Sequence, residues 1–190
     1  MRSAHPFRWL SDASQRRALP LLIVLALIGS GVMTWLDYPL RTAAAPFGIG
    51  SFELAKTLAQ SQSVLTSWDP SARIYAGLSL GIDYLYLVLY SASIALACVR
   101  LARALQHRSA RLAAIGIALA WAQPVAAGLD AIENYALIRL LLGSLAAAWP
   151  LLAWACALPK FTLVAAGLLY VLLAGVYALV VRSSTATGGS

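Results

Sequence analysis

The sequence predicts an all-α polytopic membrane protein: four transmembrane helices, with an amphipathic helix in the first loop between them. Composition is the first reason, since 61% of the 190 residues are hydrophobic, 11% are charged and mean hydropathy is +0.78. Soluble domains carry about 25% charged residues. The second reason is distribution, because the apolar residues gather into runs of the ~20 residues that a bilayer-crossing helix needs. The third is chemistry: backbone groups in lipid have to be satisfied within the segment, which favours helices. No alternating segments of about ten residues mark a β-barrel. A single membrane domain, 1–190, accounts for the chain.

The first span is read at 18–36, after a lead carrying Arg2, Arg8, Arg16 and Arg17. This outline resembles a signal peptide, with Ala43-Ala44-Ala45 beyond it and Arg16-Arg17 as a weak twin-arginine echo. The apolar run exceeds the 7–15 residues (approximately) of a secretory core, so it is read as a retained span.

Turn formers follow, Asp37-Tyr38-Pro39 and Pro46-Phe47-Gly48-Ile49-Gly50, and then a helix-like stretch at 51–68. Ser51 is the expected cap, with Glu53 in the first turn where the helix dipole favours negative charge. Leu54, Leu58 and Leu65 recur on one face, with Lys56, Gln60 and Ser63 off it. Such a segment either lies in the outer interface, with Trp68 as an interfacial aromatic, or caps the bundle. Asp69-Pro70 ends it, because the residue before proline disfavours the helical region.

The second span, 74–99, carries Ser79, Asp83, Tyr86, Tyr90 and Ser93 at intervals of 4, 3, 4 and 3, one stripe of a helix. Gly77 and Gly81 form a G-x-x-x-G, a spacing that lets helix backbones approach closely and is expected to set span two centrally in the bundle with partners on two sides; a homo-oligomer is a separate candidate partner. Gly29-Ser30-Gly31 and Gly48-Ile49-Gly50 follow no strand, so they are not read as phosphate cradles.

The third span, 112–141, contains Pro124 beside Gln123, a combination that predicts a kink. Gln123, Asp130, Asn134 and Leu137 share one face, with Glu133 at its margin. Prolines at 150 and 159 bracket 151–158, which is too short to cross and is expected to form an interfacial turn or re-entrant piece. The fourth span is placed at 161–181, with Lys160 at its mouth and a disordered polar tail at 183–190.

Net charge is +7, yet its placement speaks for topology rather than nucleic acid. Nine basic residues (Arg2, Arg8, Arg16, Arg17, Arg100, Arg103, Arg108, Arg111, Arg182) fall on one side and five (Arg41, Lys56, Arg73, Arg139, Lys160) on the other. The positive-inside rule then places both termini in the cytoplasm, as an even number of spans requires. No aromatic-basic interleaving suggests nucleic-acid binding. Cys98 and Cys156 fall toward opposite sides, ~30 Å apart, beyond disulfide reach. Both are read as small apolar packers.

The short connection 100–111 makes spans two and three an antiparallel hairpin. Asp83 lies 17 residues from Arg100 and Asp130 lies 19 from Arg111, so their heights agree within ~3 Å. Ionisable groups in hydrocarbon are disfavoured and normally face the bundle interior with partners. The expected cluster is Asp83, Tyr86, Tyr90, Gln123, Asp130, Glu133, Asn134 and Lys160, with Arg139 a rival cation that snorkels outward. Three readings stay open: a hydrogen-bond network fixing helix register, a site for a cation, proton or small polar ligand, or an intramembrane enzyme acting on a lipid or isoprenoid. Neither metal nor cofactor is expected, since His5 and His107 both fall on the cytoplasmic side and are read as solvated.

Trp68, the S-L-G-x-D-Y-L run at Ser79–Leu85 with Tyr90, and the D-x-x-E-N run at Asp130–Asn134 resemble a group of uncharacterised small bacterial four-helix integral membrane proteins. The resemblance covers about the middle two-thirds of the chain. It implies a bacterial inner-membrane location and carries no activity or catalytic residue with it.

Overall fold

The structure is a computed structural model that describes residues 5–187, with side chains described through Val180. Its elements are α1 (Asp12–Asp37), a 3-10 turn (Tyr38–Leu40), α2 (Ile49–Glu53), α3 (Leu58–Ser67), α4 (Pro70–Leu105), α5 (Ala110–Leu141) and α6 (Ala148–Thr187). α1, α4, α5 and α6 are long and apolar enough to cross a membrane. They run up, down, up and down. One end of the bundle, the terminal end, holds the α4–α5 turn. The other, the loop end, holds α2, α3 and the α5–α6 turn.

α4 is the hub: it packs against α1, α5 and α6, and α5 also packs on α6. α1 and α6 flank α4 with little contact between them, and this leaves a lengthwise groove. At the loop end an apolar core gathers Leu40, Phe52, Trp68, Leu80, Leu137 and Ala153. A second core, with Ile94, Val99, Leu105, Ala120 and Tyr170, fills the terminal end. The polar residues of α4 and α5 form a layer between the two.

Several expectations are corrected. The stretch 151–158 is no turn: α6 is continuous from Ala148, with Pro159 inside it. Pro150 lies in the first turn, where a missing N–H breaks no helical bond. Pro159 removes only the bond to the Ala155 carbonyl, and packing on α5 holds the helix together across it. At the other end α6 remains helical through Thr187 where a disordered tail was expected, and 188–190 lie outside the described residues.

The amphipathic segment is two helices. Thr57 accepts a hydrogen bond from Gln60 N–H while the Gln60 side chain accepts from Thr57 N–H. This reciprocal capping box starts α3 and breaks the stretch at 54–57. Ser51 is not a cap; its hydroxyl accepts from Phe47 N–H. Leu54, read as part of the apolar face, is 45% exposed, and the buried positions are Phe52, Ala55, Ser61, Val64 and Trp68. Trp68 is not interfacial: it is buried, packs edge-on against Phe52 at 5.4 Å and donates to the Leu40 carbonyl at 2.8 Å. α2 and α3 therefore cap the bundle.

The Gly77–Gly81 pair makes no close helix contact within the chain. A Cβ on Gly81 would meet nothing, and one on Gly77 would only touch Leu141 at 3.7 Å. Close approach occurs instead at Gly167, where a Cβ would lie 2.5 Å from Gln123 Nε2 and 2.7 Å from Ile94.

Candidate functional site

The local chain geometry that builds the site begins at Gly48. Its φ of +56° suits glycine, and a Cβ there would overlap the Asp37 carboxylate. Asp37 Oδ1 accepts from Ile49 N–H at 2.7 Å and Oδ2 pairs with Arg41 at 3.0 Å. These contacts start α2 over the bundle and turn Glu53 down into it.

Lys160 is the centre of the polar layer. Its Nζ lies 2.9 Å from Asp130 Oδ1, 2.9 Å from Glu133 Oε2 and 3.9 Å from Glu53 Oε2. Tyr90 donates to the other Asp130 oxygen at 2.8 Å, and Asn134 donates to Asp83 Oδ2 at 2.6 Å. Glu133 is fully buried, and neither of its oxygens has a well-aligned hydrogen bond, so charge rather than geometry holds it to Lys160. Tyr86 pairs with Ser30 of α1 at 2.7 Å and stacks obliquely on Tyr90 at 5.5 Å. Burial holds the Glu53 carboxyl above its ordinary range; Lys160 opposes that rise, and the charges of Asp130 and Asp37 add to it.

The layer opens sideways. A cavity of about 520 Å³ lies in the groove between α1 and α6, with Asp83, Asp130, Glu53, Lys160, Tyr86 and Tyr90 at its polar end. Apart from Ser30 and Ser93, its remaining walls are apolar, with Ile23, Ala26 and Leu27 of α1, Ile94 and Ala97 of α4, and Val164, Leu168 and Val171 of α6 among them. The volume is within the range of ligand pockets, ~300–1,000 Å³.

Of the expected cluster, Asp83, Tyr86, Tyr90, Asp130 and Lys160 line this cavity. Glu133 and Asn134 stand behind them. Gln123 is elsewhere: its amide donates to the Leu163 carbonyl at 3.1 Å and ties α5 to α6. Arg139 stays out, 5.6 Å over the Trp149 ring. Glu53 was missed as a cluster member, because its place depends on the α2 fold rather than on any periodicity. His5 is not solvated; it is buried against Arg103, and Phe7 N–H donates to its Nδ1 at 3.2 Å. Both cysteines are free and buried. Among the described residues, no three His, Cys, Asp or Glu side chains are grouped to hold a metal ion; the Lys160 ammonium occupies the centre of the acids.

Comparison with protein-family models, curated proteins and solved structures finds no match.

Proposed function

We propose that this integral membrane protein binds an amphiphilic, lipid-like molecule that enters sideways from the bilayer, its chain lying between α1 and α6 and its polar end against Asp83 and Asp130. The observation that carries the reading is the cavity itself, hydrocarbon along most of its length and charged at one end. A sealed register-fixing network has no use for such a groove. A water-borne ion needs no apolar wall.

The motif resemblance implies a bacterial inner membrane, and the distribution of basic residues supports an orientation with both termini cytoplasmic, which puts the polar end in the outer half of the bilayer. A second reading is an intramembrane enzyme acting on a lipid or isoprenoid. The juxtaposition of Asp83 and Asp130 at the cavity, with Tyr90 donating to Asp130, favours it, since paired acids serve general acid–base steps.

The test is photolabelling. A diazirine-bearing alkyl alcohol, activated in nanodiscs that hold the protein, is expected to mark Ala26, Val164 and Leu168, and Ala26→Trp is expected to abolish that labelling. Labels confined to the outward faces of α1 and α6, unchanged by Ala26→Trp, would overturn the reading.

A further inference from the structure

We infer, resting on the groove reading above, that the polar end of the bound amphiphile is a cation, such as a long-chain amine, and that Asp83 is its counter-ion.

The charge balance of the layer points this way. Glu53, Asp130 and Glu133 surround one ammonium, that of Lys160, and Asp83 adds a fourth carboxyl to the same cavity without pairing with it. The other basic residues of the loop end are engaged elsewhere. Arg41 pairs with Asp37 at 3.0 Å, and Arg73 donates to the Leu65 carbonyl at 2.8 Å. Lys56 sits 4.3 Å over the Trp154 ring, and Arg139 lies over Trp149. Low-dielectric surroundings make an unbalanced set of carboxylates unfavourable; proton uptake relieves this at the buried Glu53, whose carboxyl is held above its ordinary range, and a positive charge relieves it on the cavity side.

The free acceptor is at the cavity. Both Asp130 oxygens are occupied, by Tyr90 and Lys160. Asp83 accepts from Asn134 on Oδ2, and among the described residues its other oxygen receives no hydrogen bond. Asp83 lines the groove at its polar end. From Asp83 to Ala97 the groove follows α4 for about 20 Å of helical rise, passing Tyr86, Tyr90 and Ser93 before Ile94 and Ala97. An ammonium at Asp83 with its chain running toward Ala97 satisfies both ends. A phosphate there would meet the same carboxylates as a like charge, and Lys160, already shared by its acids, has no spare charge to hold it.

The experiment compares matched sixteen-carbon chains competing with a pyrene-labelled alkyl probe in phosphatidylcholine nanodiscs. Hexadecyltrimethylammonium and hexadecylamine are expected to bind at least about tenfold tighter than hexadecanol, and hexadecyl phosphate weakest. Asp83→Asn is expected to erase the preference for the cations while hexadecanol binding persists. Equal affinity for all heads, with Ala26→Trp abolishing every one, would overturn the cation assignment and leave the groove standing. Tightest binding by the phosphate would also overturn it. No competition by any chain would sink the groove reading itself. The head-group series on the unaltered protein decides the question even if Asp83→Asn fails to fold.

Discussion

Lys160 and Asp12 are both charge hubs with three partners of opposite sign, and they sit at opposite ends of the solvent scale. Lys160 gathers Glu53, Asp130 and Glu133 with its side chain 7% exposed. Asp12 gathers Arg16, Arg100 and Arg103 at 2.8, 2.8 and 3.4 Å with its side chain 51% exposed. The bond lengths are alike, so distance does not separate them. The dielectric does. An exposed network is screened by water and salt and contributes little. A buried one contributes little net stability when intact, yet removing one partner strands charge in hydrocarbon. The Asp12 hub staples the start of α1 to the end of α4. The Lys160 hub fixes where α2, α5 and α6 meet, beside the groove.

The comparison breaks most sharply at Lys160. Lys160→Met leaves the carboxylates without their ammonium and is expected to lower stability by about 3–5 kcal/mol, the range for a buried pair losing one member. A thermal or denaturant melt in detergent checks this; a wild-type midpoint would mean that water reaches the layer freely. Tyr90→Phe removes one donor to Asp130 and nothing else. Its expected effect is about 1 kcal/mol, between the value for a bond to a charged acceptor and the smaller average inside membranes. Asp12→Asn at the exposed hub is expected to leave the unfolding midpoint within error, and added salt should not change that result. A large loss there would mean that the hub is shielded, contrary to its exposure.

A local effect, outside the global unfolding midpoint, concerns His5, which docks the N-terminal segment beside the exposed hub. Burial and the neighbouring Arg103 and Arg8 hold its pKa below the ordinary 6.5. The folded state therefore prefers the neutral ring, and the undocked state takes up more protons as pH falls. Docking is full above pH 6.5 and weakens as pH drops from there toward the lowered value. Amide protection factors, which refer each exchange rate to its intrinsic rate at that pH, should fall in acid at Phe7, whose N–H donates to His5 Nδ1, and at Leu10, while α4 stays protected. His5→Gln should flatten that response.

How much of this the chain announces in advance depends on the range of the forces involved. The spans were legible because apolar length is a local property. The facing of Asp83 toward Asn134, and of Tyr90 toward Asp130, was legible from helical period and matched height. Lys160 was legible because few cations lie near. Thr57-x-x-Gln60 is a capping box in the sequence itself, and it outweighs the apolar spacing of Leu54, Leu58 and Leu65 in setting where α3 begins. Glu53 was out of reach, since its position follows from the positive φ of Gly48 and the Asp37 contacts. The continuity of α6 through Pro159 was equally hidden, because tertiary packing on α5 outweighs a proline signal read alone. The groove itself was invisible: it arises because α1 and α6 fail to meet, and no single helix records that.

A nitroxide at Leu27, a groove residue that is 66% exposed, in a chain with Cys98 and Cys156 replaced by alanine, tests the sideways opening most directly by electron paramagnetic resonance in nanodiscs. The expected result is easy collision with oxygen, exclusion of a water-soluble nickel chelate, and loss of label mobility when hexadecyltrimethylammonium is added. A label open to the nickel chelate, or one already immobile and indifferent to the added chain, would contradict a lipid-facing groove ending at buried charge.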